Sequence, residues 1–310
     1  MLKQEQFGLD QSVAVASPDA AFKNVISVDV EDYFHAEAFA ATVDRSQWGS
    51  YESRVEPDTR RLLDLFSELE LEATFFVLGS VAERCPQLVR DTAAAGHELA
   101  CHSYWASPGV YQLDRSEFRE DTHRAKETIE QIAGVPLRGC RAPTYSIVTR
   151  SLWAAEILVE TGFTYDSSIF PIYHDRHGIG DAPRGPFHFD TPSGPRFEYP
   201  IATFWLCGEC NLLFGGGGYL RLLPTWYMRF GMRRAQAETL PVIAYVHTWE
   251  IDPGQPRLNE RLISRLRHYT NLGKTYRRLA DMLDGGGVTS FRNSGLAGLA
   301  QAHTWGNYAR

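Results

Sequence analysis

Apolar positions along the chain fall in two alternating kinds of run. Residues 25–30 (VISVDV) form a short apolar run of strand-forming side chains, and residues 57–70 then place Leu62, Phe66 and Leu69 on one face of a 3.6-residue period. Residues 73–79 (ATFFVLG) read as a buried strand, residues 81–95 as a helix closed by Gly96, and residues 97–102 as a third strand. Asp114-Arg-Ser-Glu117 is a capping box that opens a helix to about residue 133, with Phe118, Ala125, Ile129 and Ile132 inward. Residues 137–143 and 163–168 read as strands around a helix at 151–160. Residues 242–247 (VIAYVH) are a further strand, 274–283 a helix and 288–291 a closing strand. Residues 178–200, rich in Pro, Gly and Asp, read as a long excursion.

This alternation predicts an α/β fold: a distorted (β/α) barrel of about seven parallel strands, with an open doubly wound sheet as its competitor. The domain plan is a loose arm over residues 1–22, one barrel domain over 23–292 and a tail over 293–310. The glycine fingerprint of dinucleotide binders is missing after the first strand. Gly215 to Gly218 lacks the Lys and Ser or Thr of a phosphate loop. That run is either a hinge or tight turn, or a loop whose bare backbone approaches a substrate.

Polar residues gather where the strands stop. Asp29, Glu31, Asp32 and His35 fall within seven positions at the end of the first run. A strand covered on both faces can first carry charge cheaply at its C-terminal end, where α/β enzymes place their sites. The alternative is a solvated acidic turn.

Composition narrows the partners. The chain has 310 residues, 44% of them hydrophobic, and a net charge of −7, which argues against nucleic acid or an anionic membrane surface as the main partner. No apolar run approaches the roughly 20 residues of a membrane span, and residues 1–11 are too polar for a secretory signal. The expectation is a cytoplasmic protein with a neutral substrate. Five cysteines without an export signal suit reduced thiols. Cys207-Gly-Glu-Cys210 lacks both the second pair of a zinc site and the flanking pattern of a redox dithiol.

Taken in order, the strand ends carry Asp29/Glu31/Asp32, Gly96-His97-Glu98 with His102, Arg141-Ala142-Pro143, Asp166-Ser167-Ser168 and Val246-His247. This series resembles the NodB-homology polysaccharide deacetylases over most of residues 25–291. The texts SVDVEDYFH, HDRHGIGDAPR and GGGGYLRLLP resemble the exopolysaccharide-associated subgroup linked to exosortase systems. The resemblance implies removal of acetyl from N-acetylated glycans with a divalent metal, most often zinc. It casts Asp29 as general base, His247 as catalytic acid and Arg141 as the residue that orients the base. It casts His102 and Glu31, or else Asp32, as metal ligands. Pro143, Tyr145, Asp166, Gly217, Tyr219 and Trp249 would meet the substrate, with Glu250 bracing the same mouth.

One position departs from the pattern. The family's second metal histidine lies four residues after the first, and here that place holds Ala106, followed by Ser107-Pro108-Gly109. Cys140 and Thr248 stand where the family more often has an aromatic residue and proline. A methyl group donates nothing to a metal, so the implied ion is weakly held, or His35, His97, Cys101 or solvent replaces the missing ligand. The alternatives are a hydrolase acting on another ester or amide and a non-catalytic sugar-binding barrel. Asp29, Arg141 and His247 together favour chemistry.

Overall fold

The computed structural model describes residues 22–40, 42–173, 178–207, 210–259, 262–284 and 287–306. Among the described residues there are eleven strands: β1 (Asn24–Val30), β2 (Thr74–Val77), β3 (Glu98–Cys101), β4 (Gly139–Cys140), β5 (Tyr165–Asp166), β6 (Phe187–Thr191), β7 (Gly194–Glu198), β8 (Thr203–Cys207), β9 (Cys210–Leu213), β10 (Ile243–His247) and β11 (Val288–Thr289). The main sheet runs β10-β1-β2-β3-β4-β5-β7-β6, with β11 also on β1. Every pairing is parallel except β6 with β7. The parallel run from β10 to β7 has the expected seven strands, six of them as expected, but its seventh is β7 rather than the strand at 288–291, which pairs on β1 instead. The hydrogen-bonded sheet is open between β10 and β6. Beside β10, Ala202 N donates to Ile243 O (3.0 Å) and Tyr245 N to Gly215 O (2.7 Å), so the segment preceding β8 and the one following β9 lie along that edge.

Side chains along the strands divide by the two-residue period. Ile26, Val28 and Val30 pack in the larger cluster with the helices, whereas Val25 lies in a second cluster with Phe76, Ala100, Ile243 and Tyr245. Ser27 and Asp29 continue the Val25 face, and His247 continues that of Ile243 and Tyr245. The inner face is therefore apolar along much of its length and becomes ionisable at the strands' C-terminal ends.

Four differences from the sequence reading have local causes. The helix expected over 81–95 is two helices, Gly79–Arg84 and Pro86–Ala94, because Pro86 cannot continue the first and opens the second. The excursion at 178–200 contains the β6–β7 hairpin, whose buried alternation at Phe187, Phe189 and Thr191 is masked in sequence by neighbouring Pro and Gly. The stretch read as a tail carries a helix, Leu296–Ala302, with Leu296, Leu299 and Ala300 in the inner cluster. Trp305 follows it onto Phe187 and Phe189 at ring separations of 5.4 and 5.8 Å. Within the glycine run Gly216 serves the fold, since a Cβ there would stand 2.0 Å from Tyr245 O, while Gly218 faces a cavity. The N-terminal arm to residue 21, residues 174–177 of HDRHGIGDAPR and the side chains of Cys207 and Cys210 lie outside the described residues.

Candidate active site

Register between β1 and β10 decides the centre of the site. Asp29 and His247 are direct partners across the two parallel strands, each at the C-terminal end of its own. Oδ2 of Asp29 lies 3.9 Å from His247 Nε2, and Glu31 Oε1 lies 3.6 Å from the same nitrogen. Around them is a cavity of about 510 Å³, also lined by His102, Tyr145, Tyr219, Tyr245 and Trp249.

Arg141, directly after β4, is buried and reaches across the inner face. Its Nη1 donates to Asp29 Oδ1 (2.7 Å) and to Ser27 Oγ (2.9 Å). Nε and Nη2 donate to Ser167 O and Oγ (3.1 and 3.0 Å), and the guanidinium stands 4.1 Å from the Phe76 ring centroid. Burial alone would raise the Asp29 pKa, but the charges of Arg141, His102 and His247 outweigh it and hold it below the ordinary 3.8.

His247 is steered from behind. Its Nδ1 lies 3.0 Å from Glu250 Oε2, and Glu250 Oε1 accepts from Arg221 Nε at 2.6 Å. Burial pulls His247 down, but Glu250, Glu31 and Asp29 together push it up to about 9. Glu250 is itself held at about 2, because Arg221 and His247 overcome the effect of burial. Glu31 goes the other way: burial lifts it to about 7 against the pull of His247 and a bond from Trp249 Nε1 (3.2 Å).

Hydrogen bonding sets Glu31 and Asp32 apart. Oδ1 of Asp32 accepts from the backbone of Arg54 and Val55 (2.6 and 2.9 Å), at the start of helix Val55–Glu68. Oδ2 accepts from Ser53 Oγ and Arg84 Nη2 (2.8 and 2.6 Å). Asp32 thus caps a helix and does not line the cavity, whereas Glu31 does. Three further residues expected at the substrate are not in the lining of this cavity. Asp166 is buried outside the cavity, bound to Ser167 N and Ser168 Oγ and 3.8 Å from Arg196. Pro143 lines a neighbouring pocket. Gly217 packs on Tyr245 while Gly218 and Tyr219 reach the cavity.

Ring tautomers sort the histidines that could meet a metal. Nδ1 of His102 lies 2.7 Å from the Arg141 carbonyl, so it carries the proton and leaves Nε2 a free lone pair, as in metal-binding histidines. Burial lowers His102 to about 4 and keeps it neutral. His35 also lines the cavity, but its Nδ1 accepts from Asp32 N (3.1 Å), which puts the proton on Nε2, the wrong form for a ligand there. His97 accepts from Ala73 N and packs on Phe66 and Phe75, and Cys101 is buried beside β4; neither lines the cavity. Ala106 is buried in the larger apolar cluster. The donors thus fit a divalent ion only in part. Glu31 and His102 suit one, but no group of three His, Cys, Asp or Glu side chains able to hold a metal forms among the described residues.

Backbone strain sits at the same rim. Ser103, next to His102, has φ 66°, and Thr144 and Tyr145, just beyond Arg141, have φ 58° and 51°. Non-glycine residues in this region cost about 1–3 kcal/mol each and cluster where geometry is imposed for function.

Asp29, Arg141, His102 and His247 thus all stand at the same end of the parallel sheet, on or just past β1, β4, β3 and β10. Residues 35–165 match the polysaccharide deacetylase family. These residues are a polysaccharide deacetylase domain. Residues 167–294 match a domain of unknown function, DUF3473. The chain is 31% identical over 99 residues to a peptidoglycan-N-acetylglucosamine deacetylase of Bacillus cereus, covering 32% of this chain and 36% of that protein. It is 33% identical over 101 residues to a chitooligosaccharide deacetylase of Sinorhizobium fredii, covering 32% and 44%. The match thus spans less than half the length of either relative. The fold is shared more widely: a crystal structure from Mycobacterium smegmatis, assigned to the polysaccharide deacetylases, superposes with a TM-score of 0.57 at 22% identity, covering 92% of this chain and 91% of that one.

Arg221 and Glu250 close the site from within the DUF3473 region. Arg221 was not foreseen, although it stands in the text GGGGYLRLLP. A lone arginine in an apolar stretch carries no sequence signal until the glutamate it meets is known.

Proposed function

We propose that this protein is a hydrolase that removes acetyl from N-acetylated sugars of an exopolysaccharide. The reading rests above all on Asp29 and His247 as register partners, each held by its own counter-charge, and on the relatives that act on N-acetylated glycans. With the acetamide in the cavity, Asp29 Oδ2 takes a proton from water as the water oxygen bonds to the acetyl carbon. Arg141 keeps Asp29 anionic and fixed for that step. His247, protonated and anchored at Nδ1 by Glu250, gives its Nε2 proton to the sugar nitrogen as the C–N bond breaks. Acetate and a free amine leave, and the proton taken by Asp29 returns through solvent to His247. A divalent ion on Glu31 and His102 would polarise the acetyl carbonyl. Tyr145, Tyr219 and Trp249 line the space for the sugar.

One observation favours a second assignment of the base. Glu31, lifted to about 7, is better matched to neutral pH than the depressed Asp29. Acetate release by Asp29→Asn and Glu31→Gln separates the two. If Asp29 is the base, Asp29→Asn loses about 100-fold or more in kcat and added divalent metal does not restore it, whereas Glu31→Gln, which weakens only the hold on the ion, regains activity as metal is added. The reverse order transfers the role to Glu31, and full activity in both variants overturns the mechanism.

A further inference from the structure

Exposed large apolar side chains are ordinary when scattered singly. Here they are not scattered. Of the ten among the described residues, eight fall between positions 205 and 266: Trp205, Leu206, Tyr219, Leu222, Trp226, Phe230, Leu262 and Leu266. That stretch is a fifth of the chain.

The structure joins them. Helix Thr225–Ala237 presents Trp226 (67% exposed) and Phe230 (38%) at i and i+4, with Arg229 and Arg233 exposed beside them at i+3 and i+7. Phe230 meets Phe204 of β8 at 5.3 Å, and Arg234 reaches the Trp205 carbonyl at 3.5 Å, so the β8–β9 hairpin continues the same surface. Arg221 donates to the carbonyl of Arg267, which ties helix Leu262–Tyr269, carrying Leu262 (70%) and Leu266 (58%), to the helix of Tyr219 and Leu222. Tyr219, Leu222 and Arg267 also line the mouth of the cavity.

Charge complements this surface. Residues 210–237 hold no acidic residue, and of their arginines Arg229 and Arg233 stand exposed, in a chain whose net charge is −7. Arg265 and Arg267 are exposed next to Leu266. Arg229 borders a groove with Asp281 and Asp284, yet no salt bridge forms at Arg229, Arg233, Arg265 or Arg267 among the described residues. Exposed aromatics interleaved with arginines are the make-up of surfaces that lie in the interface of a bilayer, with rings at headgroup level and guanidinium groups on lipid phosphates.

We propose that this face docks on an anionic lipid surface, with the mouth of the cavity opening beside it, so that the glycan it receives is carried at a membrane. The docking goes beyond the deacetylase reading and is measured without turnover. Whole protein is centrifuged with vesicles of phosphatidylglycerol and phosphatidylethanolamine, and with phosphatidylcholine vesicles. The expected result is binding to the anionic vesicles that weakens with salt, at least about 10-fold weaker binding to the neutral ones, and a further loss of about 10-fold or more for Arg229→Glu/Arg233→Glu. Trp226→Ser, a change at an exposed position that should leave the thermal unfolding midpoint unaltered, should weaken binding to both. Equal binding to both lipids, no binding, or wild-type binding by the folded variants overturns the proposal. So does a stable dimer in sedimentation that Trp226→Ser dissociates, since a second copy would then cover the face.

Discussion

Arg141 and Asp29 are both buried, and each is tolerable only because of the other. The same economy holds for His247 and Glu250, with a consequence for pH. His247 is raised from 6.5 to about 9, so its charged form contributes stability that is complete below about pH 6.5 and is lost as pH rises through about 9. The catalytic acid is lost over the same range. kcat/KM for acetate release should therefore fall above about pH 9, and Glu250→Gln should move that limb downward by removing the neighbouring anion. An alkaline limb unmoved in Glu250→Gln would show that the pair does not set the acid's pKa. The acidic limb reports the base: depressed beneath the ordinary aspartate range for Asp29, near 7 for Glu31. At this scale the sequence was legible where a residue ends a strand. Asp29, Arg141, His102 and His247 each follow an apolar run. Glu31 and Asp32 were not separable, because adjacent residues point to opposite sides and only the position of helix Val55–Glu68 shows which carboxylate it captures.

Asp32 shows what an element asks of a residue. One carboxylate serves two backbone N–H groups of the helix start, the Ser53 hydroxyl and the Arg84 guanidinium. Asp32→Ala should lower unfolding free energy by about 2–4 kcal/mol in a denaturant titration, from the lost cap and the buried donors left without an acceptor. Zinc affinity should not change. A stable Asp32→Ala protein with weakened zinc binding would return Asp32 to the metal site. The long elements were readable from periodicity, as helix Arg115–Ala133 and its capping box show. The β6–β7 hairpin and helix Leu296–Ala302 were not, because each is short and its apolar residues have a partner only in the finished fold: Phe187 and Phe189 need Trp305.

Across the molecule, the site is assembled from both matched regions and from β1 ahead of them, which brings Asp29 and, just past its end, Glu31. The deacetylase domain brings His102 and Arg141, and the DUF3473 region brings Arg221, His247 and Glu250. The alternation of apolar runs carried the α/β class of the fold, but a net charge of −7 conceals a face of exposed aromatics and arginines. The metal question is also one of assembly. With Ala106 in the core and His35 in the wrong tautomer, zinc titrated by calorimetry should bind at least about 10- to 100-fold more weakly than a three-ligand site allows. Tight one-to-one binding would mean that another side chain completes the set.

The central claim is that Asp29 and His247, brought together by strand register, cleave an N-acetyl group. It is tested most directly by following acetate and free amine from an N-acetylglucosamine oligomer with wild-type protein and His247→Gln. The account predicts acetate and amine in equal amounts from the wild type, and a rate about 100-fold or more lower in a folded His247→Gln variant. Release at the wild-type rate by that variant, or no acetate from the wild type, would contradict it.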